Sequence, residues 1–447
     1  MTKEKKMSLL IKNAKIYFKN KFCIKNVFCS KGKITRITDS EIKADKVING
    51  KNRYLLPGGI DCHVHFREPG MEFKGNWKTE SSAALAGGIT TVIDMPNTIP
   101  STTTIKALKE KRWIAEKNAS VNYGFHFGAE KEKLNEIKKA GNIASAKVFM
   151  GSSTGNLLIE EEKVLEEIFK IGKAKKLITV LHAEDEKTIR KNTEKAKELK
   201  WNDVKFHNKI RTVEAEVNAI KNALKLQKKI RNKIHFLHVS SEQGLKEIIK
   251  AKKERKGITC EVAPHHLFLN ENHLKKLGNF GKINPPLRTK KDNEFLMKNL
   301  LNAGIDFVAT DHAPHSKKEK QKKYSDAPSG VTGTETVYSL LLNETAMHRM
   351  KLEKVIQVLC EKPAEVFGIK NKGKIIEGFD ADLVLVDLNK KFTVKNEKMH
   401  SKCKWSPFNG IKLKGVIEKT IIAGNIVYDK GKINKKFRGK EIIFGGK

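Results

Sequence analysis

Eight short apolar runs frame this 447-residue chain: GIDCHVH, GITTVIDM, NYGFHFG, SAKVFM, LITVLHAE, KIHFLHVS, GITCEVAPHHL and DFVATDH. All lie between residues 57 and 367, and lysine-rich amphipathic stretches separate them. Strand–helix alternation repeated eight times predicts a closed (β/α)8 TIM barrel of the α/β class. An open doubly wound sheet is the competing architecture, but no GxGxxG follows the first run and no Walker A sequence occurs, so nothing supports nucleotide binding there. The flanks differ in kind. LLIKNAKIYF, CIKNVFCSKGKITRI and ADKVING near the start, and KIIEGFDADLVLVDL and KGVIEKTIIAGNIVYDKGKI near the end, alternate and are rich in β-branched residues, which predicts strands. The expected organisation is therefore a barrel over 57–367, flanked by 1–56 and 368–447 as the two parts of one small β-sandwich.

The formal charge of +38 raises the question of nucleic acid. A nucleic-acid surface concentrates Lys and Arg on one element, often with aromatics between them. Here lysine is spread over nearly every helical stretch and mixed with Glu, while Gln occurs only at positions 227, 243, 321 and 357. That pattern fits a solvated, heat-adapted surface and predicts no nucleic-acid role. No apolar run reaches membrane-spanning length, and MTKEKKMSLL lacks a secretory apolar segment. The expectation is a cytoplasmic protein whose six scattered cysteines are reduced thiols.

Polar residues gather at the C-terminal ends of the apolar runs. His63 and His65 end the first, Asn97 follows the second, Lys147 lies in the fourth, His182 ends the fifth, His238 the sixth and Asp311 the eighth. In a barrel these ends converge on one mouth, and residues i and i+2 of a strand face the same side, so Asp-Cys-His-Val-His aims two imidazoles at one point. Imidazole and carboxylate suit zinc or a similar divalent ion. Four histidines and an aspartate exceed the needs of one catalytic ion, and two ions about 3.5–4 Å apart would use them all, given a bridging ligand. Lys147 is the candidate bridge, as an N6-carboxylated lysine, because an ammonium beside two cations is electrostatically untenable. His235 competes with His238 for the sixth-strand place, and His238 is preferred as nearer the strand end. His265 and His266 read as packing residues or supports of the ligands, and His126 as a core histidine. His207, His273, His348 and His400 have no evident partner.

With these residues placed, the chain resembles the amidohydrolase superfamily and, within it, the type I dihydroorotases. The motifs that carry the resemblance are PGGIDCHVHFREPG, TTVIDMPNT, KVFMGSSTGN, LHAED, LHVSS, NPPLR, ATDHAPH and SGVTGTET. The resemblance implies that His63, His65, Lys147, His182, His238 and Asp311 are metal ligands. It implies that His65, Arg67, Asn97, Asn284, His315, Ser329 and Gly330 contact substrate. The fourth-run segment departs from those type I members that use an aspartate bridge and resembles the lysine type of allantoinases and dihydropyrimidinases. The implied reaction is the reversible cyclisation of N-carbamoyl-L-aspartate to dihydroorotate in pyrimidine synthesis, with Asp311 as general acid/base. Aspartate carbamoyltransferase is the protein partner that this implies. An allantoinase, hydantoinase or dihydropyrimidinase is the alternative, and Arg67 discriminates, because a guanidinium fork matches the carboxylate that only dihydroorotate carries. Arg288, in NPPLR, reads as a residue that holds its loop in shape. Residues 316–330, SKKEKQKKYSDAPSG, read as a mobile charged loop over the mouth.

Overall fold

The computed structural model describes residues 7–152 and 157–445. The last four residues of KVFMGSSTGN and the basic residues 1–6 lie outside the described residues. The N-terminal strands are β1 (Leu9–Phe18), β2 (Lys21–Ser30), β3 (Lys33–Thr38), β4 (Lys46–Asn49) and β5 (Tyr54–Pro57). The central ones are β6 (Gly59–Val64), β7 (Ile89–Asp94), β8 (Asn122–Phe125), β9 (Phe127–Gly128), β10 (Ser145–Phe149), β11 (Ile178–His182), β12 (Ile234–Phe236), β13 (Ile258–Val262) and β14 (Phe307–Val308). Four follow at the C-terminal end: β15 (Leu383–Thr393), β16 (Lys412–Ile422), β17 (Asn425–Asp429) and β18 (Lys432–Ile433).

Both chain ends build one nine-stranded sheet, ordered β18-β17-β16-β15-β5-β1-β2-β3, with β4 added beside β1. The join is the antiparallel pairing of β5 with β15, from Leu383 opposite Pro57 to Val386 opposite Tyr54. Alternation fixes its inner face: Leu9, Ile11 and Ile16 of β1 pack with Val27, Ile34, Leu55, Leu383, Leu385 and Ile421. β5 runs almost directly into β6 through Gly58, where a Cβ would sit 2.2 Å from Thr90 Oγ1. Residues 439–445 leave this sheet and run along the barrel base, where Ile442 N donates to Tyr123 O at 2.8 Å.

The central strands form two parallel sets, β6-β7-β8 and β14-β13-β12-β11-β10-β9. His126 lies between β8 and β9, and its N–H donates to Asp94 O at 3.0 Å. On the other side Val64 bridges His312, His65 N donates to His312 O at 2.8 Å, and His312 N to His63 O at 3.3 Å. These contacts close the circle into a TIM barrel. Every residue of β6, β7, β8, β10 and β11 is buried, as expected of parallel strands covered by helices. Thr212, Ser241 and Thr289 cap three of the surrounding helices with side-chain oxygens, each cap contributing about 1 kcal/mol. Among the described residues no helix is long and apolar enough to cross a membrane.

Candidate metal centre and substrate pocket

The ends of β6, β11 and β12 and the turn after β14 bring four imidazoles and one carboxylate together. His63 Nε2 and His65 Nε2 lie 3.1 and 3.0 Å from the same oxygen, Asp311 Oδ1. His182 Nδ1 lies 2.9 Å from His238 Nε2, and the His63 and His238 rings are 5.4 Å apart. Ligand atoms of His63, His238 and Asp311 all lie within 4.8 Å of one another. His63, His182 and His238 are almost fully buried.

The far nitrogens of His63, His65 and His182 are held as metal-binding imidazoles require, whereas Nδ1 of His238 bonds no described group. His63 Nδ1 is 2.6 Å from Glu261 Oε1, and His65 Nδ1 is 2.7 Å from Asn97 Oδ1. Those carboxylate and amide oxygens accept, so Nδ1 carries the proton and Nε2 keeps its lone pair for an electrophile. His182 Nε2 meets Glu184 Oε2 at 3.0 Å. Glu184 in turn accepts from Arg211 Nε and Nη2 at 3.0 and 2.6 Å. Burial works to raise the Glu261 pKa, but His63 and His235 outweigh it and hold the carboxyl well below its usual range. Burial likewise opposes ionisation of Asp311, and His63 and His65 overcome it. The donor set fits divalent cations: imidazole nitrogens gathered around one carboxylate, and ionised carboxylates that favour positive charge there, since against burial Asp311 and Glu261 raise the His63 pKa to about 9.

Lys147 sits in the middle of β10, fully buried, with Nζ 4.3 Å from the centre of the Phe149 ring. Burial lowers its pKa to about 7, against the pull of Asp311 and Glu261. A substantial fraction is therefore neutral amine near neutral pH.

Arg67, His238 and Asp311 have φ of 73°, 35° and 48°. Non-glycine residues in this left-handed region cost on the order of 1–3 kcal/mol each, and such strain gathers where function fixes geometry. Arg67 follows His65 by two residues, and its side chain is buried. Nε donates to Pro314 O at 3.1 Å, and Nη2 lies 3.1 Å from His315 Nε2. Among the described residues no carboxylate pairs with this guanidinium.

Ser329 O accepts from His315 Nε2 at 3.0 Å. A Cβ on Gly330 would lie 3.0 Å from His315 Cδ2 and 2.8 Å from Ala313 O, at a φ of 140°. Ser329, Gly330, His315 and Arg67 thus form one group. Asn284 is oriented by a different partner: its Oδ1 accepts from His207 Nε2 at 2.9 Å. His207 Nδ1 accepts from Tyr324 Oη at 2.7 Å, so a histidine without an evident partner in sequence orients an expected substrate residue.

His126 bonds Ser145 Oγ and Cys62 O within the core, and His235 bonds Thr259 and Glu261. His265 and His266 pack edge to face at 4.5 Å. Arg288 donates to Ser240 Oγ, Asn208 Oδ1 and Arg211 O, binding three segments together.

Sequence reasoning missed Glu261, Glu184 with Arg211, and Lys74, whose Nζ lies 3.2 Å from His315 Nδ1. For Glu261 a signal was present: an acidic residue inside the apolar run GITCEV needs a partner once buried. The segment 316–330, read as a mobile charged loop, keeps Lys317, Lys318, Lys322 and Lys323 exposed and packs around the buried ammonium groups of Lys320 and Lys282. Lys320 Nζ donates to the carbonyls of Lys282, Pro328 and Gly330, and Lys282 Nζ to those of Tyr324 and Ala327.

The model of the amidohydrolase family matches residues 54–427. A Methanosarcina mazei protein named dihydroorotase is 41% identical over 452 residues, covering 98% of each chain. One of the same name from Pyrococcus abyssi is 36% identical, covering 93% of this chain and 94% of its own. Among solved structures, the L-hydantoinase (dihydropyrimidinase) of Arthrobacter aurescens superposes with a TM-score of 0.93 at 30% identity, covering 98% of this chain and all of its own. The fold, the His/His/Asp cluster at the barrel mouth and these end-to-end likenesses agree: the chain belongs to the amidohydrolase family.

Proposed function

We propose that the protein is a dihydroorotase, which interconverts dihydroorotate plus water with N-carbamoyl-L-aspartate. The observation that carries this reading is Arg67, a buried guanidinium that among the described residues makes no ion pair within contact distance, two residues from a histidine of the metal cluster. Leaving such a charge unmatched is costly, and a substrate carboxylate would match it. Dihydroorotate carries that group; hydantoin, dihydrouracil and allantoin do not. The relatives named dihydroorotase support the same choice over the hydantoinase-like solved structures.

His63, His65, His182, His238 and Asp311 would hold two divalent ions, for which zinc suits the nitrogen-rich set. Lys147, dry and partly neutral, would take up carbon dioxide and complete the set as a carbamate. Bound ions supply an acidified water and a polarised ring carbonyl.

The chain's own residues do the rest. In ring opening Asp311 accepts the proton of the attacking water and gives it to the departing ring nitrogen; in closure it takes the proton of the carbamoyl nitrogen. Glu261 and Asn97 hold His63 and His65 in one tautomer throughout. Arg67 and His315 bind the ring carboxylate, with Ser329 and Gly330 shaping that wall and Asn284 lying next to the same loop. Aspartate carbamoyltransferase remains the partner to seek by co-purification.

The test is a ring-opening assay on dihydroorotate beside hydantoin, dihydrouracil and allantoin, with metal content measured on the same sample. Dihydroorotate should be preferred. Arg67→Met should lower its kcat/KM by about tenfold to a hundredfold, the loss of a charge-assisted carboxylate contact, with metal content unchanged. Preference for a neutral ring, or equal losses on charged and neutral rings in Arg67→Met, would refute the reading.

A further inference from the structure

Around His315 the structure gathers more positive charge than the reaction itself requires. Arg67 Nη2 stands on one side, and Lys74 Nζ lies 3.2 Å from Nδ1 on the other. Lys74 is buried and pairs with Glu319 Oε1 at 2.9 Å. Glu319 is itself fixed, because its other oxygen accepts from Ser316 N and Oγ at 2.9 and 2.8 Å. Trp405 Nε1 donates to the His315 carbonyl at 2.7 Å, so the backbone cannot swing away.

An ammonium only donates. Facing Lys74, His315 Nδ1 must therefore accept, and in a neutral ring the proton then sits on Nε2. Nε2–H donates to Ser329 O at 3.0 Å. Arg67 Nη2, 3.1 Å from the same nitrogen, then faces a donor with another donor. That clash of donors has a use: a substrate carboxylate that enters beside them accepts from Arg67 Nη2 and draws the Nε2–H from Ser329 O to itself. The opposite tautomer would offer Arg67 the Nε2 lone pair and tie up the guanidinium before any substrate arrived.

We propose that Lys74, held by Glu319, is a positioning residue that keeps His315 in its Nε2–H tautomer, so that His315 and Arg67 close as two donors on the substrate carboxylate. The proposal rests on the dihydroorotase reading for the identity of that carboxylate. It also makes the 316–330 segment part of substrate specificity, since Glu319 belongs to it.

The experiment uses the full-length, metal-loaded protein with 15N-labelled histidine, as wild type, Lys74→Met and Lys74→Arg. Lys74→Met should raise KM for dihydroorotate about tenfold, the loss of one charge-assisted donor, while kcat changes by less than about threefold, as expected for binding shared by ground and transition states. Lys74→Arg, which restores a donor toward Nδ1, should recover most of the loss. The His315 ring signals, assigned by their absence in His315→Asn, should report Nε2–H in wild type and shift toward Nδ1–H in Lys74→Met. An unchanged KM, or an unchanged tautomer in Lys74→Met, overturns the proposal. If Lys74→Met does not fold, Glu319→Gln serves: it releases Lys74 and should raise KM in the same sense, and an unchanged KM there overturns the proposal equally. Failure to open dihydroorotate in the wild type would instead refute the substrate, while the tautomer readout would still judge Lys74.

Discussion

Glu261 concentrates the residue-scale logic of the site. Its Oε1 accepts from His63 Nδ1–H at 2.6 Å and its Oε2 meets His235 Nε2 at 3.1 Å. It therefore fixes the ring that faces Asp311 and would raise that ring's basicity toward a bound cation. Glu261→Gln keeps the shape but removes the charge and turns one acceptor into a donor. Loss of such a supporting contact typically weakens metal binding about tenfold to a hundredfold. Competition with a coloured chelator should show that weakening, and an undiminished affinity would mean that His63 needs no carboxylate behind it. The four histidines and Asp311 were legible because strand-end position and i, i+2 spacing are sequence properties. Glu261 showed only as an acid inside an apolar run and Lys74 not at all, because the rings they support, His63 and His315, lie on other segments; Glu184 sits two residues after His182, but its partner Arg211 is distant in sequence.

At the scale of elements, burial adds what charge alone does not tell. Residues 316–330 are rich in charge, and charge suggests solvent. Yet Lys320 is only 1% exposed, and burial lowers the Lys282 pKa to about 8 and that of Lys320 well below its usual value. Backbone carbonyls take the place of water around both ammonium groups, so the segment is a folded wall of the pocket. A second buried pair joins helix to strand. Lys111, on the helix Ile105–Asn118, pairs with Asp94 at the end of β7 at 2.5 Å and donates to Met95 O at 2.6 Å. Asp94 also accepts from Phe66 N at 2.7 Å, next to Arg67. Lys111→Met strands a buried carboxylate and should cost roughly 3–5 kcal/mol of stability. Lys111→Met with Asp94→Asn should recover part of that in chemical denaturation, since the amide can still accept from Phe66. A double variant as unstable as the single one would show that the lysine acts by packing alone.

For the whole molecule, the barrel was legible from eight alternations, whereas the course of residues 439–445 along its base was not, because GKEIIFG carries no periodicity that names its partner. The net charge of +38 is also a property of the whole, and its consequence follows from weighing two opposed effects. Ion pairs join neighbouring helices, as Lys225 with Glu162 and Lys229 with Glu166 do, but these are exposed pairs of the kind worth about 0–1 kcal/mol. Against them stands an excess of cations that repel one another throughout the surface, which disfavours the compact state. Added salt weakens both, yet pairs in contact are screened less than charges about a Debye length apart, roughly 10 Å at 0.1 M. The repulsion is therefore lost first. The thermal midpoint should rise as sodium chloride increases from about 0.02 to 0.3 M, and the buried pairs Lys111–Asp94 and Arg211–Glu184 should be indifferent to it. A midpoint that falls over the same range would mean that the surface pairs act as a cooperative network and outweigh the repulsion of the excess lysines.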